Sequence, residues 1–93
     1  MSGTALCRTV EIINERGLHA RASAKFVKAA ASFDAVVKVS RDGQTVDAQS
    51  IMGLMMLGAG PGSMVEIEAT GPDAEAAMDT LVSLIEARFD EER

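Results

Sequence analysis

Residues 36–46 read VVKVSRDGQTV, and two runs rich in β-branched residues flank Asp42 and Gly43 within this stretch. Asp-Gly between two such runs is the strongest short-range signal of a β-hairpin, because both central residues of its favoured turn have positive φ. The stretch therefore predicts two antiparallel strands, and with them an antiparallel sheet.

Two further strands and a first helix are predicted from hydrophobic periodicity. Apolar and polar residues alternate over 6–13 and over 64–69, which is typical of half-buried strands. An alanine-rich helix is predicted at about 20–32. On that helix, the shared apolar face is predicted to consist of Ala20, Ala24, Val27 and Ala31.

Two more helices complete the order βαββαβα. Ser50 is a natural N-cap for a short helix over 50–57, and Asp73 is a natural N-cap for a last helix with a 3.6-residue period. Each helix has one apolar face, so two layers satisfy the burial pattern. We expect an α+β fold in which a four-stranded antiparallel sheet carries three helices on one face. A length of 93 residues fits a single domain over 1–93.

Composition and charge exclude several function classes. A net charge of −5 and only three aromatic residues argue against a nucleic-acid partner, which needs clustered cations or stacking rings. The single cysteine, Cys7, cannot form an internal disulfide and is expected to be a small core residue. One histidine without paired ligand spacing gives no metal site, and no cofactor is expected.

The ends of the chain and its apolar runs predict a cytoplasmic protein with no membrane partner. The first residues, Met1–Thr4, lack the basic and apolar runs of a signal peptide. No apolar stretch approaches the about 20 residues of a membrane-spanning helix. Residues 90–93 are expected to form a frayed, solvated end.

The only histidine, His19, stands just before the first predicted helical turn. The first N–H groups of a helix have no partner within it, and with the helix dipole they form an anion site. A phosphoryl group on this imidazole would meet the backbone N–H groups of Ala20 and Arg21. The Arg21 guanidinium could also bind its oxygens, so the position suits a phosphohistidine. By position alone, a histidine at a helix start is more often a cap or a solvated side chain than a functional residue.

Two motifs strengthen the functional interpretation. Residues 14–24 read NERGLHARASA, and residues 47–58 read DAQSIMGLMMLG. Both stretches, and the spacing between them, resemble the HPr family, the histidine-containing phosphocarriers of the bacterial phosphotransferase system. The resemblance extends over about residues 6–88.

The resemblance implies a fold and a chemistry. The family fold is an open-faced βαββαβα sandwich, in agreement with the periodicity. His19 would accept a phosphoryl group on Nδ1 from phosphorylated enzyme I and pass it to an enzyme IIA-type domain, with Arg21 stabilising the phosphate. Such a protein is a carrier and not an enzyme, and we expect a monomer.

Ala22 departs from the family pattern, which has proline directly after this arginine. Proline in the first helical turn presets φ and removes an unpaired N–H group. Alanine at this position therefore loosens the turn but leaves the proposed reaction in place.

Two further features match the family. Ser50 corresponds to a regulatory serine that a dedicated kinase phosphorylates in some bacteria, although an N-cap role alone also accounts for it. The short helix is so apolar that part of it is expected to be exposed. The matching partner-binding positions are Ala20, Arg21, Ala24, Lys28, Ile51, Met52 and Met55.

One alternative is a regulatory binding module that docks on proteins without carrying phosphate. The presence of both His19 and Arg21 speaks against it. For a carrier, two pathways remain open, namely sugar uptake and a nitrogen-related regulatory phosphorelay.

Overall fold

A computed structural model describes residues 5–91, so the prediction made for Met1–Thr4 and that for Glu92 and Arg93 lie outside the described residues. The elements follow the predicted order: β1 (Leu6–Glu11), α1 (Ala20–Ala31), β2 (Val36–Arg41), β3 (Gln44–Asp47), α2 (Ile51–Met56), β4 (Met64–Thr70) and α3 (Ala74–Glu86). A short 3₁₀-like turn, Arg88–Asp90, follows α3, and all three of its residues have positive φ.

The four strands form one antiparallel sheet in the order β1-β4-β2-β3. In the register, Val10 pairs with Val65, and Val39 pairs with both Ile67 and Val46. These side chains share one face because alternate residues of a strand point the same way. The three helices cover that face, which confirms the open-faced α+β sandwich.

The hairpin between β2 and β3 turns as its sequence predicts. Asp42 and Gly43 have φ of 52° and 83°, the positive values that a two-residue type I′ turn requires. The Ser40 and Thr45 hydroxyls, opposite each other across the hairpin, lie 2.8 Å apart. The hairpin is therefore closed by turn chemistry and by a cross-strand hydrogen bond.

Helix α1 buries a different face from the one predicted. Its buried residues are Ala22, Ser23, Phe26 and Ala30, whereas Ala20, Ala24 and Ala31 are exposed. The prediction was wrong because an alanine-rich helix shows little contrast between its faces. Phe26, its only aromatic side chain, orients the helix, since burying an aromatic ring gains more than burying the methyl group of an alanine.

Helix α3 packs as the 3.6-residue period predicts, with Ala77, Met78, Leu81 and Ile85 buried. Asp73 is the N-cap of α3, as predicted, but its side chain makes no hydrogen bond to the N–H groups of the helix. Its carboxylate instead accepts a hydrogen bond from the backbone N–H of Asp34, 2.7 Å away. This bond ties the start of α3 to the segment between α1 and β2.

Cys7 lies on the open face of the sheet and is exposed, so its prediction as a core residue was wrong. The alternation of β1 places it on the side away from the helices. Partial desolvation and then the charges of Glu66 and Glu68 raise the pKa of the Cys7 thiol. It is therefore a weakly reactive thiol on a surface remote from the helices.

Candidate functional site

The loop between β1 and α1 places His19 at the start of α1. Gly17 has φ of 65°, and a Cβ on it would lie 2.3 Å from the carbonyl oxygen of Ala59. The next residue, Leu18, donates its backbone N–H to that same oxygen at 2.9 Å. The side chain of Asn14 closes the loop by donating to the Gly17 carbonyl at 2.8 Å. Glycine at position 17 thus allows the two backbone segments to touch.

His19 is the N-cap of α1, as the sequence indicates. Its Nδ1 accepts a hydrogen bond from the backbone N–H of Arg21 at 3.2 Å, and its Nε2 lies 2.5 Å from Oε2 of Glu91. A nitrogen that accepts an N–H carries no proton itself, so in the neutral ring the proton is on Nε2 and is donated to the carboxylate. The lone pair of Nδ1 therefore points at the N-terminus of α1.

The surroundings of Nδ1 favour an anion. Ala20 and Arg21 form the exposed first turn of α1, whose N–H groups and dipole attract negative charge. No ion pair within residues 5–91 engages the Arg21 guanidinium, which leaves it available for a bound oxyanion. Ala22 is fully buried and contributes packing beneath the turn.

Glu91 belongs to this site, although residues 90–93 were predicted to be frayed and solvated. Its side chain is only 16% exposed and contacts both His19 and Asn14, whose Nδ2 donates to Oε1 at 3.1 Å. The prediction was wrong for Glu91 because the turn after α3 leads the chain back to α1. Asn14 belongs to the motif at 14–24, but no local pattern connects it with a position 77 residues away.

The charge of Glu91 is stabilised where it lies. Burial acts to raise the pKa of this carboxyl, but hydrogen bonds from His19 and Asn14 and the charges of His19 and Arg16 outweigh it. The pKa of Glu91 consequently lies below its ordinary value. A carboxylate therefore faces His19 at neutral pH.

An exposed apolar patch lies beside the histidine on α1 and α2, two helices that pack together. On α2, Ile51, Met52 and Met55 are 39%, 68% and 40% exposed, which confirms the expectation that part of this helix faces solvent. Ala24 and Lys28 lie on the exposed side of α1. Met55 also lines a depression of about 310 Å³ together with His19 and Arg16. The predicted partner-binding residues thus lie on two adjoining surfaces, one of which reaches the histidine.

Ser50 is the N-cap of α2, as predicted. Its hydroxyl oxygen accepts a hydrogen bond from the backbone N–H of Gly53 at 2.9 Å, and the residue is half-buried. This cap places the serine directly beside Ile51 of the apolar patch. Its position is therefore one from which a change of charge would reach that patch.

Between residues 5 and 91 no three His, Cys, Asp or Glu side chains come together in a group that could hold a metal ion. In the same range no helix has the length and hydropathy to cross a bilayer.

Comparison with known proteins decides the family. The family model described as "PTS HPr component phosphorylation site" matches residues 6–87. This chain belongs to the HPr family. It is therefore a phosphocarrier protein of the phosphotransferase system.

The similarity to individual HPr-family proteins extends over nearly the whole chain. A phosphocarrier protein HPr from Cupriavidus necator is 57% identical over 86 residues, covering 92% of this chain and 97% of the relative. A phosphocarrier protein NPr from Shewanella violacea is 41% identical over 88 residues, covering 95% and 97%. A crystal structure of HPr from Thermoanaerobacter tengcongensis matches with a TM-score of 0.90 at 45% identity, covering 95% and 99%. Both the fold and the phosphocarrier class are thus shared along the chain.

Proposed function

We propose that His19 carries the phosphoryl group on Nδ1, receiving it from phosphorylated enzyme I and passing it to an enzyme IIA-type domain. The observation that carries the proposal is the direction of the Nδ1 lone pair. It points at the first turn of α1, where Nδ1 accepts a hydrogen bond from the backbone N–H of Arg21. The side chain is 22% exposed, enough for a partner to reach it. The chain acts as a carrier that enzymes phosphorylate and not as an enzyme itself.

In the proposed transfer, the Nδ1 lone pair forms a bond to phosphorus while the bond from phosphorus to the donor breaks, and its electron pair leaves with the donor. The phosphoryl oxygens then lie among the N–H groups of the first turn, Ala20 and Arg21. The Arg21 guanidinium adds charge-assisted hydrogen bonds. These groups stabilise charge that is already present on the phosphoryl group and form no covalent bond to it. The phosphoryl group can therefore still be transferred to a second protein.

Phosphotransfer from phosphoenolpyruvate tests this proposal. The protein is incubated with enzyme I and labelled phosphoenolpyruvate, and His19→Ala is compared with the unchanged chain. We expect one acid-labile phosphoryl group on the unchanged chain and none on His19→Ala, because no other imidazole exists in the sequence. Absence of label on the unchanged chain, or its persistence in His19→Ala, would contradict the proposal.

The partners are proposed to dock on the apolar patch of Ala24, Lys28, Ile51, Met52 and Met55. Exposed methionines adapt to different surfaces, which suits a carrier that meets a donor and an acceptor in turn. The relatives include proteins named HPr and proteins named NPr. Sugar uptake and a nitrogen-related phosphorelay are therefore two alternative pathways for this carrier. The enzyme IIA that accepts the labelled phosphoryl group distinguishes them.

Ser50 is proposed as a regulatory phosphorylation site. A phosphate there would sit at the start of α2 and add nearly two negative charges beside the apolar patch, repelling an acidic partner. Incubation with the serine kinase and ATP, followed by mass spectrometry, should show one phosphate on the unchanged chain and none on Ser50→Ala. An unmodified Ser50 would leave the N-cap as its only role.

The remaining proposals concern the molecule as a whole. We propose that residues 1–93 form a single domain that works as a monomer in the cytoplasm, without a cofactor. Continuity of the helix layer across one sheet and the presence of a single, unpaired cysteine support this. A binding module that carries no phosphate is the less favoured reading, because His19 and Arg21 are both present.

A further inference from the structure

The segment after α3 adopts a conformation that costs free energy. Arg88, Phe89 and Asp90 have φ of 58°, 55° and 62°, values at which the Cβ of a residue other than glycine is crowded. Three such residues in succession persist only where surrounding contacts hold them. The contacts that hold this turn therefore indicate its structural role.

Side-chain hydrogen bonds tie this segment to α1 and to the loop before it. The Phe89 ring is fully buried, and the Phe89 carbonyl accepts a hydrogen bond from Nζ of Lys25 at 2.7 Å. Directly after the turn, Glu91 places one carboxylate oxygen on Asn14 and the other on His19. The turn thus delivers a carboxylate to Nε2, the ring nitrogen opposite Nδ1.

We propose that Glu91 is a positioning residue for phosphoryl transfer, acting through Nε2 of His19. The proposal rests on the proposed function of His19. Glu91 holds the ring so that Nδ1 faces the first turn of α1, and it keeps the proton on Nε2. Its negative charge balances the positive charge that the ring acquires when Nδ1 bonds to phosphorus.

The chemistry is that of a carboxylate behind a catalytic imidazole. When Nδ1 forms its bond to phosphorus, the donor leaves with the electron pair of the broken bond, and the ring keeps its proton on Nε2 as an imidazolium. A carboxylate accepting that proton's hydrogen bond stabilises the charged ring, as the buried aspartate does in serine-protease triads. Return transfer breaks the bond between Nδ1 and phosphorus, and the electron pair stays on Nδ1.

The charges near the pair are compatible with this role. Arg16 contributes to the stabilisation of the Glu91 carboxylate, Arg21 lies on the Nδ1 side of the ring, and Lys25 is held by the Phe89 carbonyl. The Glu91 carboxylate is thus the partner of Nε2, while the backbone N–H of Arg21 lies on the Nδ1 side, where the phosphoryl group arrives.

Glu91→Gln tests the proposal, because it keeps the size and the oxygen acceptor but removes the charge. Glu86→Gln is the matched control, since Glu86 is an exposed acid at the end of α3. We expect His19 phosphorylation by enzyme I to be slower by about tenfold in Glu91→Gln, a loss typical of a hydrogen bond to a charged group. Glu86→Gln should match the unchanged chain.

A spectroscopic signal separates positioning from a purely structural role. In the proton NMR spectrum of the unchanged chain, the proton on Nε2 should resonate far downfield because a carboxylate accepts it. It should move upfield in Glu91→Gln and stay in place in Glu86→Gln. Circular dichroism establishes that both variants are folded.

The outcomes distinguish this proposal from the proposed function. If the unchanged chain takes up no labelled phosphoryl group, the proposed function of His19 is overturned. If it is labelled and Glu91→Gln reacts as fast as Glu86→Gln or faster, the role of Glu91 is overturned and the carrier function stands. A slower reaction with an unmoved Nε2 proton also overturns it, because the effect would then not pass through that nitrogen.

Discussion

Gly17 shows how a single residue supports the site without taking part in its chemistry. It combines a positive φ with a close approach to the backbone of Ala59. The loop that presents His19 can reach the segment beside α2 only because no side chain stands between them. Gly43 also has a positive φ, but beyond its chain neighbours no atom lies within 4 Å of the position of an added Cβ. A side chain would therefore be crowded at position 17 and not at position 43.

Replacing these glycines by alanine should separate backbone strain from collision. We expect Gly43→Ala to lower the free energy of unfolding by about 1 kcal/mol, the cost of a strained φ alone. Gly17→Ala should lower it by about 3 kcal/mol and also slow phosphorylation, because the loop must move away from Ala59. Urea unfolding and the enzyme I assay measure both effects. Equal losses in the two variants would contradict the role assigned to the contact with Ala59.

His19 and Arg21 could be proposed from the sequence because their spacing and flanking residues form a local motif. Glu91 could not, since its partners Asn14 and His19 lie 77 and 72 residues away along the chain. A run of charged residues at the end of a sequence ordinarily indicates a solvated tail. The burial of Phe89, a tertiary effect, redirects the segment and creates the contact.

Helices α1 and α2 contribute different parts of the candidate site. The start of α1 supplies the anion environment, and α2 supplies exposed apolar area close to it. The hairpin, the strands and the order of the helices were predictable from the sequence, because the hydrophobic periodicity and the turn residues indicate the same elements. The buried face of α1 was not, because choosing among alanines depends on where Phe26 packs.

A charge on the exposed side of α2 should weaken partner binding while leaving the fold intact. Met52→Glu places a carboxylate in the apolar patch, and Met64→Glu is the matched control because Met64 is 52% exposed on the open face of the sheet. We expect Met52→Glu to bind enzyme I about tenfold more weakly and Met64→Glu to bind normally. Both should unfold within about 0.5 kcal/mol of the unchanged chain, as surface substitutions do.

Titration calorimetry with enzyme I measures the two affinities, and urea unfolding measures the stabilities. Equal weakening by both substitutions would point to general charge repulsion from an acidic partner. Normal binding by Met52→Glu would remove α2 from the docking surface.

Over the whole molecule, the sheet separates two surfaces of different character. The helix side carries the histidine, the carboxylate behind it and the apolar patch. The opposite side is the bare face of four strands, on which Cys7, Glu66 and Glu68 lie together. A sandwich covered on one side only therefore leaves the open face of its sheet outside the proposed chemistry.

The bare face offers a place from which to observe the protein at work. Cys7 is the only cysteine in the sequence, it is exposed, and it lies across the sheet from the helices. A maleimide dye attached there would be a single, defined label, coupled at mildly alkaline pH because only the thiolate reacts. Its fluorescence polarisation would follow the arrival and departure of each partner without a probe standing in the path of the phosphoryl group.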